Sequence, residues 1–355
     1  MIVIVPDVGH GNCVSISDGD VSLTVDCGAE TDDKARNFFK FVNPELENSK
    51  KRELIITHYH FDHYNLLKGI PTNFFEKVYL PALPPDRTTS MAFCESFAIF
   101  FILQFKGYPL IPEILRVART IVPLVKNDSF RTLNRDWEVL WPDYGIIDKR
   151  NMKSINNLQK EIEKIKEKLD RESLEEFERW YRIFSRVFSE GGKFDYTKLV
   201  DENHIKLNIK NNNPKIVELL ERLEKVFKRL ANRASLVTRE IQGDFLFTGD
   251  IDTTILDEHL NFSDIEYFLV ETPHHGGFYG RAFNNLKTEV LVISRNARYM
   301  PRPEFFSYID WRIFVDTGRQ GSCIVEKSSG LPYGVHTITI KSKEAFAHFF
   351  MLLLS

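Results

Sequence analysis

Alternating apolar and polar positions at the start of the chain predict strands. MIVIV and the run VSISDGDVSLTVDCG, which turns at DGD, predict a β-hairpin region over residues 1–27. Residues 32–42 have a helical period, and short apolar runs at 54–57 and 78–80 predict two further strands. The strands and helices of residues 1–85 therefore alternate as in an α/β domain.

Long helical patterns separate this segment from the next group of strands. Residues 86–125 are predicted helical, with no strand expected before WEVLWP at 137–142. Between 151 and 230, apolar residues such as Ile155, Leu158 and Ile162 step by three and four, with charges on the remaining faces. A second apolar stripe at 216–230 predicts the other arm of an antiparallel helical hairpin. That hairpin could pack on its own chain, form a dimer seam or bind a partner.

Strand patterns return after residue 232. SLVTREIQGDFLFTGD predicts a hairpin that turns at QGD, and EYFLVETPHHGG predicts a strand that runs into a glycine loop. TEVLVISRN, IDWRIFVDT, SCIVEK and HTITIK predict four more strands. The predicted organisation is a core in two halves (1–85 and 231–355), a core strand region (130–145), and two helical insertions (86–129 and 146–230).

Composition narrows the class of protein. The 355 residues are 43% hydrophobic and 27% charged, as in globular proteins with an ample core. A formal net charge of −3 provides no global basic field, so nucleic-acid contact would require a local patch. Four scattered cysteines without a CxxC pair, and a start that lacks a signal-peptide pattern, predict a cytoplasmic location. FAIFFILQF at 97–105 is shorter than the ~20 residues of a membrane span, so we expect a buried or lid helix and no membrane span.

The densest group of reactive side chains is THYHFDHY at 57–64, directly after an apolar strand pattern. It contains His58, His60, Asp62 and His63 within six residues. Histidines can simply be hydrogen-bonded within a core, but imidazole and carboxylate groups at this spacing favour a divalent ion such as zinc or manganese. Later strands end in FLFTGD and VETPHHGG, which supply further carboxylate and imidazole groups.

Taken in order, these motifs resemble the metallo-β-lactamase fold, an αββα sandwich with a metal site along one edge. DVGHGNCVSI followed by TVDCGA resembles the branch that includes the hydrolase domain of ComEC-type DNA-uptake proteins and phosphorylcholine esterases, in which a DVGQGD-like turn precedes a DxG strand end. NRASLV, LFTGDI, PHHGG, VISRNARYMPRPEFF and DTGRQG are similar to later motifs of that branch. The resemblance covers about residues 1–85, 130–145 and 230–340, and not the helical insertions, which we expect to form a hairpin or lid.

The resemblance implies a centre of two divalent ions, with zinc expected and manganese as the alternative. Its ligands would be His58 and His60 for the first ion, Asp62, His63 and His275 for the second, and Asp250 as a bridge. His275 is preferred to His274 because it directly precedes the glycine. His274 would then contact substrate or transfer a proton, and the two roles exchange if the pair is reversed.

One position departs from the family pattern. Many members supply a third histidine to the first ion where this chain has Asn232. Water, substrate or Asn232 itself would complete that site, His204 is the nearest upstream histidine, and single-ion occupancy is the alternative. Asp26 in VDCG would orient a metal-binding histidine from behind, and Tyr299 in ARYMP would contact substrate.

The implied reaction is hydrolysis by a metal-activated water, with Asp62 and His274 as catalytic residues. The sequence contains no GxSxG elbow and no GxxxxGK[ST] loop that would support a rival mechanism. The resemblance favours a phosphodiesterase or nuclease acting on DNA, RNA or a nucleotide-like phosphoester. The alternatives are a hydrolase of a small ester or lactone, or a weakly active, partner-bound subunit of a defence or DNA-processing complex. In the last case the helical insertion would bind a protein partner or form a homodimer.

Overall fold

Two mixed β-sheets form the centre of the chain, and helices lie against them. The computed structural model describes residues 1–107, 110–194, 214–327 and 336–339. The strands of the first sheet are β1 (Ile2–Val5), β2 (Val14–Asp18), β3 (Val21–Val25), β4 (Lys51–Ile55), β5 (Lys77–Pro81), β6 (Ile121–Leu124), β14 (Cys323–Lys327) and β15 (His336–Thr339). Their order is β15-β14-β1-β2-β3-β4-β5-β6. The predicted turn at DGD joins β2 to β3, where Asp18 pairs with Val21 and Gly19 has a positive φ of 61°.

The second sheet contains most of the later strands. They are β7 (Ser129–Thr132), β8 (Arg135–Trp141), β9 (Val237–Glu240), β10 (Phe245–Phe247), β11 (Glu266–Glu271), β12 (Lys287–Ile293) and β13 (Asp310–Asp316). Their order is β13-β12-β11-β10-β9-β8-β7. β9 and β10 form the antiparallel hairpin predicted at QGD, and β10 to β13 run parallel.

The helices and shorter turns connect these strands. The α-helices are α1 (Asp32–Asn37), α2 (Asn43–Asn48), α3 (Thr88–Ile102), α4 (Leu110–Val117), α5 (Tyr144–Lys166), α6 (Arg171–Glu190), α7 (Pro214–Arg233), α8 (Thr253–Glu258), α9 (Glu304–Tyr308) and α10 (Thr317–Gln320). A π-helical turn at Phe38–Val42 joins α1 to α2 and completes the helix predicted at 32–42. Short 3-10 turns lie at Phe61–His63, Asn65–Gly69, Phe105–Gly107, Pro273–Gly276 and Arg281–Phe283.

Side chains along each strand point alternately to the two faces of its sheet, and this divides the core into layers. Val3 and Val5 of β1 pack in the cluster between the sheets, whereas Ile4 packs in the cluster that contains the helices. Phe245 and Leu246 of β10 divide between the same two clusters. The chain is therefore an α/β sandwich, with two facing sheets and helices on their outer faces.

The prediction that no strand lies between residues 86 and 137 is wrong. β6 and β7 both lie in this range, and β6 pairs with β5 through Pro123 opposite Leu80. The proline of IVPL argues against a strand in a sequence pattern. Here it lies on the edge strand of the first sheet, where a missing N–H donor is tolerated.

The predicted helical hairpin is also incorrect, because its first arm is two helices. Helix α5 ends at Lys166. Asp170 caps the start of α6, where its side chain accepts a hydrogen bond from Ser173 N at 2.8 Å. α5 packs against α7, and α6 packs against α3. The apolar stripes that a dimer seam would have used, including Leu158, Trp180 and Phe227, are buried within the chain.

Helix α3, which contains most of FAIFFILQF, is buried on nearly every side. It packs against α5, α6 and α7, and its phenylalanines lie in the helix-side core cluster. Of the buried helix and the lid helix that the sequence left open, the structure shows the buried helix. Among the residues that the structure describes, no helix combines the length and the hydropathy that a membrane span requires.

Candidate metal centre

The carboxyl ends of four strands bring the candidate ligands together. β3 and β4 are parallel, and they are followed by Asp26 and by the histidine segment at 57–64. β10 and β11 are also parallel, and they are followed by Asp250 and by the pair at 274–275. Leu236 N donates to Thr57 O at 2.6 Å and joins the two sheets at this edge.

Asp26 fixes the orientation of His63. Both side chains are fully buried, and His63 Nδ1 lies 2.7 Å from Asp26 Oδ2. The carboxylate also accepts hydrogen bonds from Thr57 N at 2.7 Å and from Asn12 Nδ2 at 2.9 Å. Because Nδ1–H donates to Asp26, the lone pair of His63 lies on Nε2. The predicted supporting role of Asp26 thus has a defined partner.

Thr57 orients His58 in the same way. Its hydroxyl lies 2.7 Å from Asp26 Oδ2, to which it must donate because an ionised carboxylate only accepts. The Thr57 oxygen, 3.2 Å from His58 Nδ1, is then left to accept the Nδ1 proton. His58 is therefore also the tautomer whose Nε2 carries the lone pair.

The ring of His275 is also held at Nδ1, in this case by the backbone of Ser294. Its Nδ1 lies 2.9 Å from the backbone oxygen of Ser294, an acceptor that requires the proton on Nδ1. His274 and His275 both have positive φ, at 50° and 54°, so the chain turns sharply here and the two rings diverge from adjacent positions.

Two groups of three side chains result. In the first, ligand atoms of His58, His63 and Asp250 lie within 4.8 Å of one another. His58 Nε2 is 3.5 Å from Asp250 Oδ2, and His63 Nε2 is 3.5 Å from Asp250 Oδ1. The resemblance assigns His58 and His63 to different ions bridged by Asp250, and the structure places the two rings against different oxygens of that carboxylate.

The second group consists of His10, Asp62 and His275, whose ligand atoms also lie within 4.8 Å of one another. His275 Nε2 is 3.7 Å from Asp62 Oδ2, a separation beyond a normal hydrogen bond. The pairing of Asp62 with His275 matches the second-ion set that the resemblance implies. His10 was not among the predicted ligands.

His60 lies beside both groups and belongs to neither. Its Nε2 is 3.0 Å from the backbone oxygen of Lys228 in α7, and its ring packs against His58 with 4.5 Å between centroids. Burial, together with the charge of His58, lowers the pKa of His60 to about 3, so this ring is neutral.

The remaining predicted residues lie beside the two groups: His274 and Asn232 beside the first, and Tyr299 beside the second. His274 Nδ1 is 2.8 Å from Asp250 Oδ2 and 3.3 Å from Asn232 Nδ2. Asn232 is thus beside the centre, where the family pattern places a third histidine. Tyr299 is 54% exposed, and its ring lies 4.6 Å from that of His10. His204 lies outside the described residues.

The charges of the site oppose the effect of burial. Burial would raise the pKa of Asp250, but His274, His58 and His63 hold it well below its usual value. The same holds for Asp62. Burial would raise its pKa, but the contact with His275 outweighs burial and lowers the pKa. Burial would lower the pKa of His63, yet Asp26 and Asp250 raise it to about 10. Asp250 and Asp62 are therefore ionised at neutral pH.

The residues present fit divalent ions. The Nε2 atoms of His58, His63 and His275 are buried and have no hydrogen-bond partner within the described part of the chain. A buried unpaired imidazole nitrogen is costly, and each of these three faces a carboxylate. Ligands of a tetrahedral zinc at about 2.0–2.1 Å lie roughly 3.4 Å apart, close to the separations found at Asp250.

Comparison with known proteins assigns the chain to no family. No protein-family model matches the chain, and no curated protein matches it.

Four residues at or beside the site were missed at the sequence level. Thr57 and Ser294 hold histidines through ordinary hydrogen bonds, which no motif reveals. Glu271 is buried behind the centre, and His10 belongs to the second group. Only His10 had a signal, an imidazole between two glycines in DVGHG.

Proposed function

We propose that the chain is a metal-dependent hydrolase of the metallo-β-lactamase fold that acts on phosphodiesters. The order of the motifs, the facing sheets with outer helices and the location of the centre at the strand ends all support this fold. A metal centre in turn favours hydrolysis over the other reaction classes that an α/β fold can host.

One observation carries the proposal: among the described residues, three buried Nε2 atoms without a hydrogen-bond partner face two ionised carboxylates, and they come from the 57–64 segment (His58 and His63) and from the turn at His275. Each imidazole is held by a hydrogen bond at Nδ1, so the lone pairs are oriented before any ion binds. His58, His63 and Asp250 would hold one ion, and Asp62 and His275 would hold the other. A purely structural cluster would instead satisfy these nitrogens with hydrogen bonds.

Divalent ions at such a centre lower the pKa of a water molecule and stabilise the oxygens of a displacement reaction. The chain itself supplies the positioning. Asp26, Thr57 and Ser294 hold the ligand rings. His274, about one-third exposed and hydrogen-bonded to Asp250, can deliver a proton from Nε2 to the leaving oxygen. Asn232 beside it can hold the substrate or the orientation of that ring.

A cationic rim supports an anionic substrate. Arg302 donates from Nε to Gly277 O at 3.1 Å, directly beside the His275 loop, and its side chain is exposed. Arg298 and Arg319 are exposed in the same region, where Arg319 contacts Met300. Because Arg319 Nε also lies 3.6 Å from Asp316 Oδ2, the exposed guanidinium groups of Arg302 and Arg298 are the better candidates for contact with a phosphate in a chain whose net charge is −3.

Elemental analysis combined with a substrate panel tests the proposal. We expect the purified chain to carry zinc, or to gain activity with manganese, and to cleave bis(p-nitrophenyl) phosphate and single-stranded DNA or RNA. Cleavage of a lactone alone would move the substrate class to small esters. A chain that binds no divalent ion and turns over no substrate would overturn the proposal.

The variant Asp62→Ala sharpens this test. It removes a carboxylate that faces His275, so we expect turnover to be lost while the fold is retained. Asp33→Ala, at an exposed aspartate of α1, is the matched control and should leave activity unchanged. Full turnover by Asp62→Ala would show that the second group has no catalytic role.

A further inference from the structure

We propose that His10 is a third protein ligand of the ion held by Asp62 and His275. The inference rests on the proposed function, because it assigns a residue to the same centre. His10 comes from the glycine turn after β1, far in sequence from both partners. The DVGQGD-like turn of the resembled branch has glutamine at this position, so the resemblance does not assign the residue to a metal.

The geometry of the ring points to ligation. Ligand atoms of His10, Asp62 and His275 lie within 4.8 Å of one another. His10 Nδ1 is buried and has no hydrogen-bond partner among the residues described, and the same is true of His275 Nε2. Two unsatisfied imidazole nitrogens beside one carboxylate form a set of the kind that binds zinc. If His10 were only a packing residue, its buried nitrogen would remain unpaired at a cost.

The backbone holds this turn firmly beside His275. Ser294, whose backbone oxygen anchors His275 Nδ1, also donates from Oγ to Gly11 O at 3.1 Å. One residue therefore positions both imidazoles. On the other side, His10 N donates to Glu30 Oε2 at 3.0 Å. A Cβ at Gly11 would lie 2.4 Å from Ala29 Cα, so the close approach of the turn requires glycine.

Ring contacts complete the placement. The His10 ring lies between those of His275 and Tyr299, with centroid distances of 4.2 Å and 4.6 Å. Tyr299 is exposed, so its end of this ring stack lies at the surface. A phenylalanine at position 10 would keep these contacts but offer no nitrogen, and this difference separates ligation from packing.

Zinc titration of the metal-stripped chain, followed by calorimetry, tests the inference. We expect two sites in the unsubstituted chain, and His10→Phe should weaken one site by at least about tenfold while leaving the other unchanged. Tyr299→Phe alters the same stack without removing a nitrogen and should bind zinc like the unsubstituted chain. Unchanged affinities in a folded His10→Phe variant would overturn the assignment. If the unsubstituted chain binds no zinc, the proposed function fails as well.

A second measurement needs no variant. Diethyl pyrocarbonate modifies accessible imidazole nitrogens, and mass spectrometry can follow the His10 peptide in the metal-stripped and zinc-loaded chains. We expect zinc to protect His10 from modification. Equal modification in the presence and absence of saturating zinc would overturn the assignment, even if His10→Phe did not fold.

Discussion

At the residue scale, the orientation of each imidazole follows from the partner of its Nδ1 atom. Asp26 accepts the Nδ1 proton of His63 and orients His58 through the Thr57 hydroxyl. The backbone oxygen of Ser294 accepts the Nδ1 proton of His275. Because each proton is held on Nδ1, the three Nε2 atoms are free to bind a metal. Asp26 therefore has the widest effect of the supporting residues.

Asp26→Asn tests this role. Asparagine has one acceptor oxygen, so it cannot accept from His63, Thr57 and Asn12 together, and His63 loses its fixed tautomer. We expect zinc affinity to fall by about 10–100-fold, measured by calorimetric titration. Asp20→Asn, at the exposed turn between β2 and β3, is the control. Equal affinity in the two variants would contradict the role of Asp26.

Glu271 provides a pH-dependent test in the metal-free chain. Burial, assisted by the charge of Asp26, raises the pKa of this carboxyl to about 8. Because the folded pKa lies above the ordinary value of 4.5, the stability that Glu271 contributes is present below pH 4.5 and lost as the pH rises toward 8. Glu271→Gln should therefore reduce the fall in unfolding free energy across that range. Chemical denaturation at several pH values measures this fall, with exposed Glu266→Gln as control. An unchanged pH profile for Glu271→Gln would contradict the assigned pKa.

At this scale, the sequence identified residues of the candidate site where several reactive side chains lie close together in the chain. HxHxDH marked four candidate ligands, and three of them, His58, Asp62 and His63, lie in the two groups. His10 could not be assigned from the sequence, because its connection to the site runs through Ser294, 283 positions from Gly11. Contacts this distant along the chain leave no local pattern.

At the element scale, α7 forms a wall of the centre. Lys228 O contacts His60, Asn232 contacts His274, and Arg233 forms an ion pair with Asp252 at 2.6 Å. Trp141 Nε1 also donates to Arg233 O at 2.6 Å and joins the end of β8 to this helix. Helix α7, which begins within the predicted insertion and ends beyond its boundary at residue 230, is therefore continuous with the site.

Phe227→Ala tests whether these helices belong to the core. Phe227 is fully buried in α7, and its ring meets Phe93, Phe97 and Phe100 of α3. We expect the substitution to lower the unfolding free energy by about 3–5 kcal/mol. Val217→Ala, at an exposed position of the same helix, should change it by about 0.5 kcal/mol or less. A small effect of Phe227→Ala would indicate that α7 packs loosely as an independent lid.

Helical periodicity predicted which faces are buried, but not every boundary between the elements. The stripes at 155–165 and 216–230 are buried as the spacing predicted, because a regular apolar face must be covered. The break between α5 and α6 was missed, since Asp170 caps a helix within a run whose apolar period continues. β6 was missed because its proline is acceptable only at a sheet edge, which depends on tertiary structure.

At the scale of the whole molecule, two strand-rich segments meet along one edge and each supplies part of the centre. His58, Asp62 and His63 follow the first sheet, whereas Asp250 and His275 follow the second. Neither segment alone contains a complete group, because each of the two groups draws a residue from both. Metal binding should therefore depend on the folded chain as a unit.

We propose that divalent ions bound at this centre drive phosphodiester hydrolysis. The most direct measurement is turnover of bis(p-nitrophenyl) phosphate by the metal-stripped chain as zinc or manganese is added in known equivalents. We predict no turnover without metal, and a rate that rises with bound ion and reaches its plateau near two ions per chain. Turnover that does not depend on metal, or none after the ions are bound, would contradict the account.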